Sequence, residues 1–194
     1  MKQWKKISQV CLERNHLVFM DCAYQGFSSG CADKDAEALR MFVEDGHFMC
    51  LVQSFSKNFG LYGHRVGALS VVAADEDEAK RVVSQLKMVI RPMYSNPPRH
   101  GARIVQTVLS DPELREDWEI QCAGMAARIK TMRTVLRERL KALGSTKSWK
   151  HITEQIGMFA YSGLTKEQVE TLRDKHHIYC TLDGRISMAV RSRQ

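Results

Sequence analysis

No run of apolar residues in this sequence approaches the roughly 20 that a membrane-spanning helix needs. The opening, M-K-Q-W-K-K-I, has no apolar core of the kind a signal peptide carries. Prolines number only four, and there are no internal repeats or low-complexity segments. Six cysteines (Cys11, Cys22, Cys31, Cys50, Cys122 and Cys180) show no paired C-x-x-C spacing, and no histidine pattern completes a metal site. That speaks against structural zinc and for a reducing compartment, with Cys22 and Cys50 acting as small hydrophobes inside apolar runs. A basic tract interleaved with aromatics is missing too. The formal charge is +7, yet Lys and Arg alternate with acids, as in K-D-A-E-A-L-R and T-V-L-R-E-R-L-K. This pattern describes a solvated mixed surface rather than a nucleic-acid interface. Neither nucleic acid nor membrane is an expected partner.

What remains is an ordinary globular composition, 44% hydrophobic over 194 residues, long enough to bury a core without staples. Trp4, Ile7, Val10 and Cys11 recur at helical spacing between Trp4 and Arg14. The apolar runs 17–22, 48–55 and 66–73 read as buried strands, with helices over Asp35–Val43 and Asp75–Ile90. That alternation predicts α/β layering with a mostly parallel sheet. After Ser95-Asn96-Pro97-Pro98 a helix resumes near Arg99. Ser110 and Glu113 then form a capping-box pattern that opens a helix to about Leu143. Leu114, Trp118, Met125, Ile129, Met132, Leu136 and Leu140 form its expected apolar stripe. A strand over 157–163, a helix over Thr165–Lys175 and strands over 178–182 and 185–190 complete a smaller α+β unit.

The stretch Q-S-F-S-K-N-F-G-L-Y-G-H-R-V-G (53–67) follows a predicted strand and carries Lys57 among small and aromatic residues. Three readings of that lysine stand side by side. It is a surface amine whose stem lies on apolar neighbours, a phosphate-gripping lysine, or a Schiff-base amine with a pKa lowered by desolvation and a nearby cation. The G-x-x-x-x-G-K-[ST] pattern that the second reading wants is absent. For the third, Arg65 supplies the cation and a phosphate ligand, with hydroxyls at Ser54 and Ser56. A Schiff base beside a phosphate site is what pyridoxal 5'-phosphate requires. Its ring nitrogen then needs an acid partner, and Asp21, at the end of an apolar run, is placed for it. Tyr24 is three residues further, within reach of the cofactor's phenolate oxygen.

The segments F-M-D-C-A-Y-Q-G-F, Q-S-F-S-K-N-F-G-L-Y, Y-S-N-P-P with G-A-R-I-V, H-I-T-E-Q-I-G-M-F and D-G-R-I-S-M-A resemble the aspartate aminotransferases of the fold-type I pyridoxal-phosphate enzymes. The resemblance is collinear from residue 1 to about 189. It implies the C-terminal part of a mostly parallel three-layer cofactor-binding domain over 1–110, a bridging helix over 111–144 and a truncated small α+β domain over 145–194. It also implies that Lys57 forms the Schiff base and shuttles a proton at the substrate Cα. Asp21 would pair with the pyridinium, Tyr24 with the phenolate oxygen, and Ser54 and Arg65 with the phosphate. Arg185 would take the substrate α-carboxylate, while Arg91 would reach across a homodimer to the distal carboxylate of a dicarboxylic substrate. Phe159 would line the substrate side. The implied reaction exchanges an amino group between L-aspartate and 2-oxoglutarate, giving oxaloacetate and L-glutamate.

Three features depart from the family pattern. The resemblance starts midway through the cofactor-binding domain, so the family's glycine-containing phosphate loop, its stacking aromatic and its asparagine find no counterpart here. His64 stands where an acid is usual, and after Met188-Ala189 the chain reads V-R-S-R-Q. The alternative expectation is therefore a catalytically incompetent family member acting as a remnant or partner subunit. The expected compartment is the cytoplasm, with the mitochondrial form left open because the family's N-terminal region has no counterpart here.

Overall fold

The computed structural model describes residues 1–189, so the last residue of the strand expected over 185–190 lies outside the described residues. In chain order the elements are α1 (Lys2–Glu13), β1 (Val18–Cys22), α2 (Ala32–Asp35), α3 (Glu37–Glu44), β2 (Met49–Ser54) and β3 (Gly67–Val71). There follow α4 (Glu76–Tyr94), α5 (Arg99–Ser110), α6 (Pro112–Ala142), α7 (Lys150–Glu154), β4 (Phe159–Tyr161), α8 (Lys166–His176) and β5 (Arg185–Ser187). The chain folds as two compact units. One comprises Met1–Gln25 with Ala32–Glu119, and the other Gly26–Cys31 with the chain from Ile120 onward.

The first unit is built on a three-stranded sheet in the order β1-β2-β3. β1 and β2 run parallel, with Asp21 opposite Val52 and Cys22 opposite Gln53. Parallel neighbours need a crossover rather than a tight turn, and α2 with α3 supplies it. β3 returns antiparallel to β2, pairing Ser54 with Gly67 and Val52 with Leu69. Side chains alternate between faces along each strand and laterally paired residues share a face. Val18 and Met49 therefore point one way and pack with Met41 and Phe42 of α3. Phe19, Leu69 and Val71 point the other way and are 62%, 48% and 36% exposed. The strands are thus half-buried rather than buried on both faces.

A small polar knot fixes α1 to this layer. Ser8 Oγ, only 1% exposed, donates to Asp45 Oδ2 at 2.5 Å and lies 2.9 Å from His47 Nε2. A serine hydroxyl has one proton, here committed to the carboxylate, so the imidazole Nε2–H is the donor to Ser8. The His47 ring stacks on Phe42 at 4.7 Å, which joins the knot to the apolar core.

α4 begins at an Asp75 cap whose carboxylate accepts from Glu78 N–H at 2.7 Å. It continues past the expected end at Ile90, through Pro92, to Tyr94. The missing N–H of a proline one turn from the end costs a single ladder bond. Termination falls instead at Ser95, which has a φ of 64°. The cap of α6 is Asp111 and not Ser110: the Asp111 carboxylate accepts from Glu113 and Leu114 N–H at 3.0 and 3.1 Å. Pro112 dictates this shift. The residue before a proline is pushed out of the helical region, and Asp111 is extended (φ −96°, ψ 121°), leaving Ser110 in the last turn of α5.

In the second unit, α6 buries Cys122, Ala126, Ile129 and Arg133, one side chain per turn. Leu114 and Met125 of the expected stripe are 44% and 41% exposed. Ile129, Ile152, Ala160 and Met188 form the core, with Met132, Leu136 and Trp149 packed on it. β4 and β5 pair antiparallel, Phe159 opposite Ser187 and Tyr161 opposite Arg185. Residues 178–182, expected as a strand, form none. Thr181 is instead consumed by a tight turn, its carbonyl accepting from Gly184 N–H at 2.8 Å and its Oγ accepting from Arg185 N–H at 3.1 Å.

Candidate active site

Because β1 and β2 are parallel, their C-terminal ends open on the same edge of the sheet, the place where open α/β sheets hold ligands. Asp21, exposed, is the penultimate residue of β1 and Ser54 the last of β2. By register both project from the face that carries Phe19 and Leu69. Tyr24 follows β1 by two residues and Lys57 follows β2 by three, so both stand in the loops that leave this edge.

The Lys57 loop is held from several sides. Phe55 N–H donates to Val66 O at 3.2 Å, and Ser56 N–H to Ser54 Oγ at 3.2 Å. A turn closes from Gly60 N–H to Lys57 O, with Gly60 at a φ of 66°, a conformation natural to glycine. Ser56 and Asn58 on either side of Lys57 are buried. Trp118 donates its indole N–H to Asn58 O at 2.8 Å, and its ring stacks on Phe59 at 4.8 Å. The amine itself is half-buried. Its Nζ lies over the Tyr24 ring, 5.1 Å from the centroid, and 5.9 Å from that of Tyr62. Two aromatic faces steady an ammonium by roughly 0.5–1 kcal/mol each at partly exposed sites.

Arg65 takes the left-handed conformation (φ 48°, ψ 58°), uncommon for a non-glycine residue. Its guanidinium donates to Tyr62 O at 3.1 Å and lines a pocket of about 310 Å³ together with Arg99 and Arg103. Gly101 lets α5 approach this turn closely: a Cβ there would meet His64 and Val66 side-chain atoms at 3.0 Å. The His64 ring also lies 5.1 Å from that of His100. Arg91, in the last turn of α4, is exposed and donates to Ser95 Oγ at 3.1 Å.

Cys22, next to Asp21, has its thiol pushed up by burial, with smaller contributions from the charges of Asp35 and then Asp21. Its sulfur lies 3.9 Å from Gln25 Oε1, which also accepts from Gln53 Nε2 at 2.7 Å. This is a supporting layer under the edge, not a reactive thiolate.

In the second unit, Arg185 opens β5 and Phe159 opens β4. The exposed Arg185 guanidinium lies over the Phe159 ring at 5.0 Å, and both border a groove of about 760 Å³. The structure thus brings Lys57 to Tyr24, sets Asp21 and Ser54 on one sheet face, places Arg65 on one pocket with Arg99 and Arg103, and pairs Arg185 with Phe159. Tyr62, Trp118, Arg99 and Arg103 were not singled out from sequence. Tyr62 lies inside the quoted Lys57 stretch and was legible there, whereas Trp118 is 60 residues from its partner and gave no local signal.

Chemically, an amine, a carboxylate, hydroxyls and a guanidinium along one edge suit a ligand with a carbonyl, a basic ring nitrogen and a phosphate. Among the described residues no group of three or more His, Cys, Asp or Glu side chains is placed to hold a metal ion. No described helix is long and apolar enough to cross a membrane.

The chain is similar to known proteins over nearly its whole length. The mitochondrial aspartate aminotransferase of Dictyostelium discoideum is 58% identical over 97% of this chain, which covers 44% of that protein. The mitochondrial aspartate aminotransferase of Arabidopsis thaliana is 55% identical with the same coverages. A solved mitochondrial aspartate aminotransferase from Trypanosoma brucei superposes with a TM-score of 0.92 at 49% identity, over 97% of this chain and 49% of that one. An aromatic-amino-acid aminotransferase from Burkholderia pseudomallei, covalently bound to pyridoxal phosphate, gives 0.94 at 48% identity, over 97% and 47%. The chain therefore spans about half the length of the relatives it matches. The family model "Aminotransferase class I and II" matches residues 1–194, and the chain belongs to that family.

Proposed function

We propose that this chain carries the cofactor-holding lysine and the carboxylate-binding arginine of an aspartate aminotransferase. The reaction is transfer of an amino group between L-aspartate and 2-oxoglutarate with pyridoxal 5'-phosphate. The observation that carries the reading is the half-buried Lys57 amine over Tyr24, in a loop leaving the edge where Asp21 and Ser54 share a face. When bound, the cofactor would supply an electron-accepting ring. Asp21 holds the ring nitrogen in its protonated form, and Tyr24 donates to the phenolate oxygen. Ser54 and Arg65 hold the phosphate. Lys57 Nζ takes and returns the proton at the substrate Cα. Arg185 grips the α-carboxylate as a two-pronged pair, with Phe159 beneath it, and Arg91 reaches the distal carboxylate in a neighbouring subunit of a homodimer. Residues 1–110 then serve as part of the cofactor domain, 111–144 as the bridging helix and 145–194 as the small domain.

Borohydride reduction of the chain with excess pyridoxal phosphate tests this reading. The expected result is one reduced adduct, located on Lys57 by mass spectrometry and lost in Lys57→Ala. No adduct on Lys57 under saturating cofactor would sink the reading.

A second reading is a catalytically incompetent family member that serves as a remnant or partner subunit. Oxaloacetate formation from aspartate and 2-oxoglutarate separates the two: turnover abolished by Lys57→Ala supports the first, and none in a correctly folded chain supports the second. Three matched relatives are mitochondrial enzymes, which favours the mitochondrial over the cytoplasmic compartment.

A further inference from the structure

Arg133 sits in the middle of α6 at 3% exposure. An arginine is almost never buried this far without a carboxylate partner. Here burial pulls its pKa below the ordinary value. Its compensation is three backbone carbonyls: Nη1 donates to Ile152 O at 2.8 Å, and Nη2 to Gly157 O at 2.8 Å and Phe159 O at 2.5 Å. One rigid planar fork thereby pins both ends of the segment 152–159. A lysine, a single point donor on a flexible stem, cannot match that geometry.

The pinned end is functional in position. Phe159 starts β4, and its ring lies under the Arg185 guanidinium at 5.0 Å. Arg185 is in turn fixed by its own backbone, its N–H reaching Thr181 Oγ at 3.1 Å and Asp183 Oδ1 at 3.2 Å. A planar guanidinium resting on an aromatic face has its edge, and hence its two-pronged donor pair, directed by the plane of that ring.

We propose that Arg133 is a positioning residue for the carboxylate site at Arg185, acting through the Phe159 backbone to set the ring on which the guanidinium lies. The carboxylate part rests on the role given to Arg185 above. The link from Arg133 through Phe159 to Arg185 stands without it.

The test uses the full chain and the variants Arg133→Met, Arg133→Lys and Phe159→Leu, each checked for fold by circular dichroism. The Arg185 side-chain Nε–H resonance, assigned through loss in Arg185→Lys, reports the ring current of Phe159. Succinate titration reports carboxylate binding. In Phe159→Leu the resonance should leave its wild-type position. Both Arg133 variants should move it the same way, with succinate affinity about tenfold weaker, as when an outer partner of a metal ligand is lost. Folded Arg133 variants with the wild-type resonance would overturn the proposal. So would loss of fold in both, because Arg133 would then serve the core as a whole. A resonance unaffected by Phe159→Leu would remove the stacking link and the proposal with it. If wild type binds no succinate, the carboxylate role of Arg185 fails, and the resonance alone decides the role of Arg133.

Discussion

Gly67 has no space for a side chain, since a Cβ would stand 2.5 Å from the Gln53 carbonyl oxygen on the adjacent strand. That contact involves backbone, which cannot rotate away. Gly67→Ala should therefore cost about 1–3 kcal/mol, read as a lowered denaturation midpoint, and an unchanged midpoint would contradict the register of β2 and β3. Because Ser54 pairs with Gly67, the same variant should also weaken cofactor capture at Lys57. Cys22 is the other residue-scale test. Its raised pKa means the fold favours the neutral thiol over the thiolate. Its contribution to stability is therefore complete below the ordinary thiol range and is lost as pH climbs through the raised value. Stability measured against pH should fall on the alkaline side, and Cys22→Ala should flatten that limb; an identical limb in the variant would refute the assignment.

Helix ends decide the element scale. Ser110 and Glu113 fit a capping box as letters, but Pro112 forces residue 111 out of the helix, and the carboxylate of Asp111 becomes the cap. Asp111→Ala should cost about 1 kcal/mol in chemical denaturation, while Ser110→Ala, inside the last turn of α5, should cost well under half of that. The reverse order would restore the capping box. In α8 the pattern and the structure coincide: Thr165 accepts from Gln168 N–H at 3.3 Å, and the Gln168 side chain accepts from Thr165 N–H at 3.0 Å. No proline intervenes there, so the local rule survives.

At the scale of the whole molecule, the sheet face bearing Phe19, Leu69 and Val71 is open, and contiguous apolar surface of this kind drives association. Sedimentation velocity should show mass rising with concentration, and Leu69→Lys should reduce it. A monomer at every concentration would contradict that expectation. Asp21 and Ser54 lie on this same face, so self-association and cofactor capture should compete for it, and added pyridoxal phosphate should shift the sedimentation profile.

The sequence alone determined the elements whose causes are local. The three strands follow from apolar runs of strand length, α8 from the helical stretch over Thr165–Lys175, and the Lys57 loop from a motif contiguous in the chain. It also marked Asp21, Tyr24 and Arg65 as companions of Lys57, because each carries a chemical type that the proposed cofactor site calls for. The tertiary structure decided what depends on partners distant in the chain. Arg133 looks like a surface charge on a helix, and only the carbonyls at 152, 157 and 159 show why it is buried. Trp118 looks like part of an apolar stripe until its indole reaches Asn58. Residues 178–182 have the composition of a strand, but Thr181 closes a tight turn onto Gly184 and Arg185 instead. Propensity and motif act over a few residues, whereas hydrogen-bond satisfaction is settled by whatever the fold brings within about 3 Å.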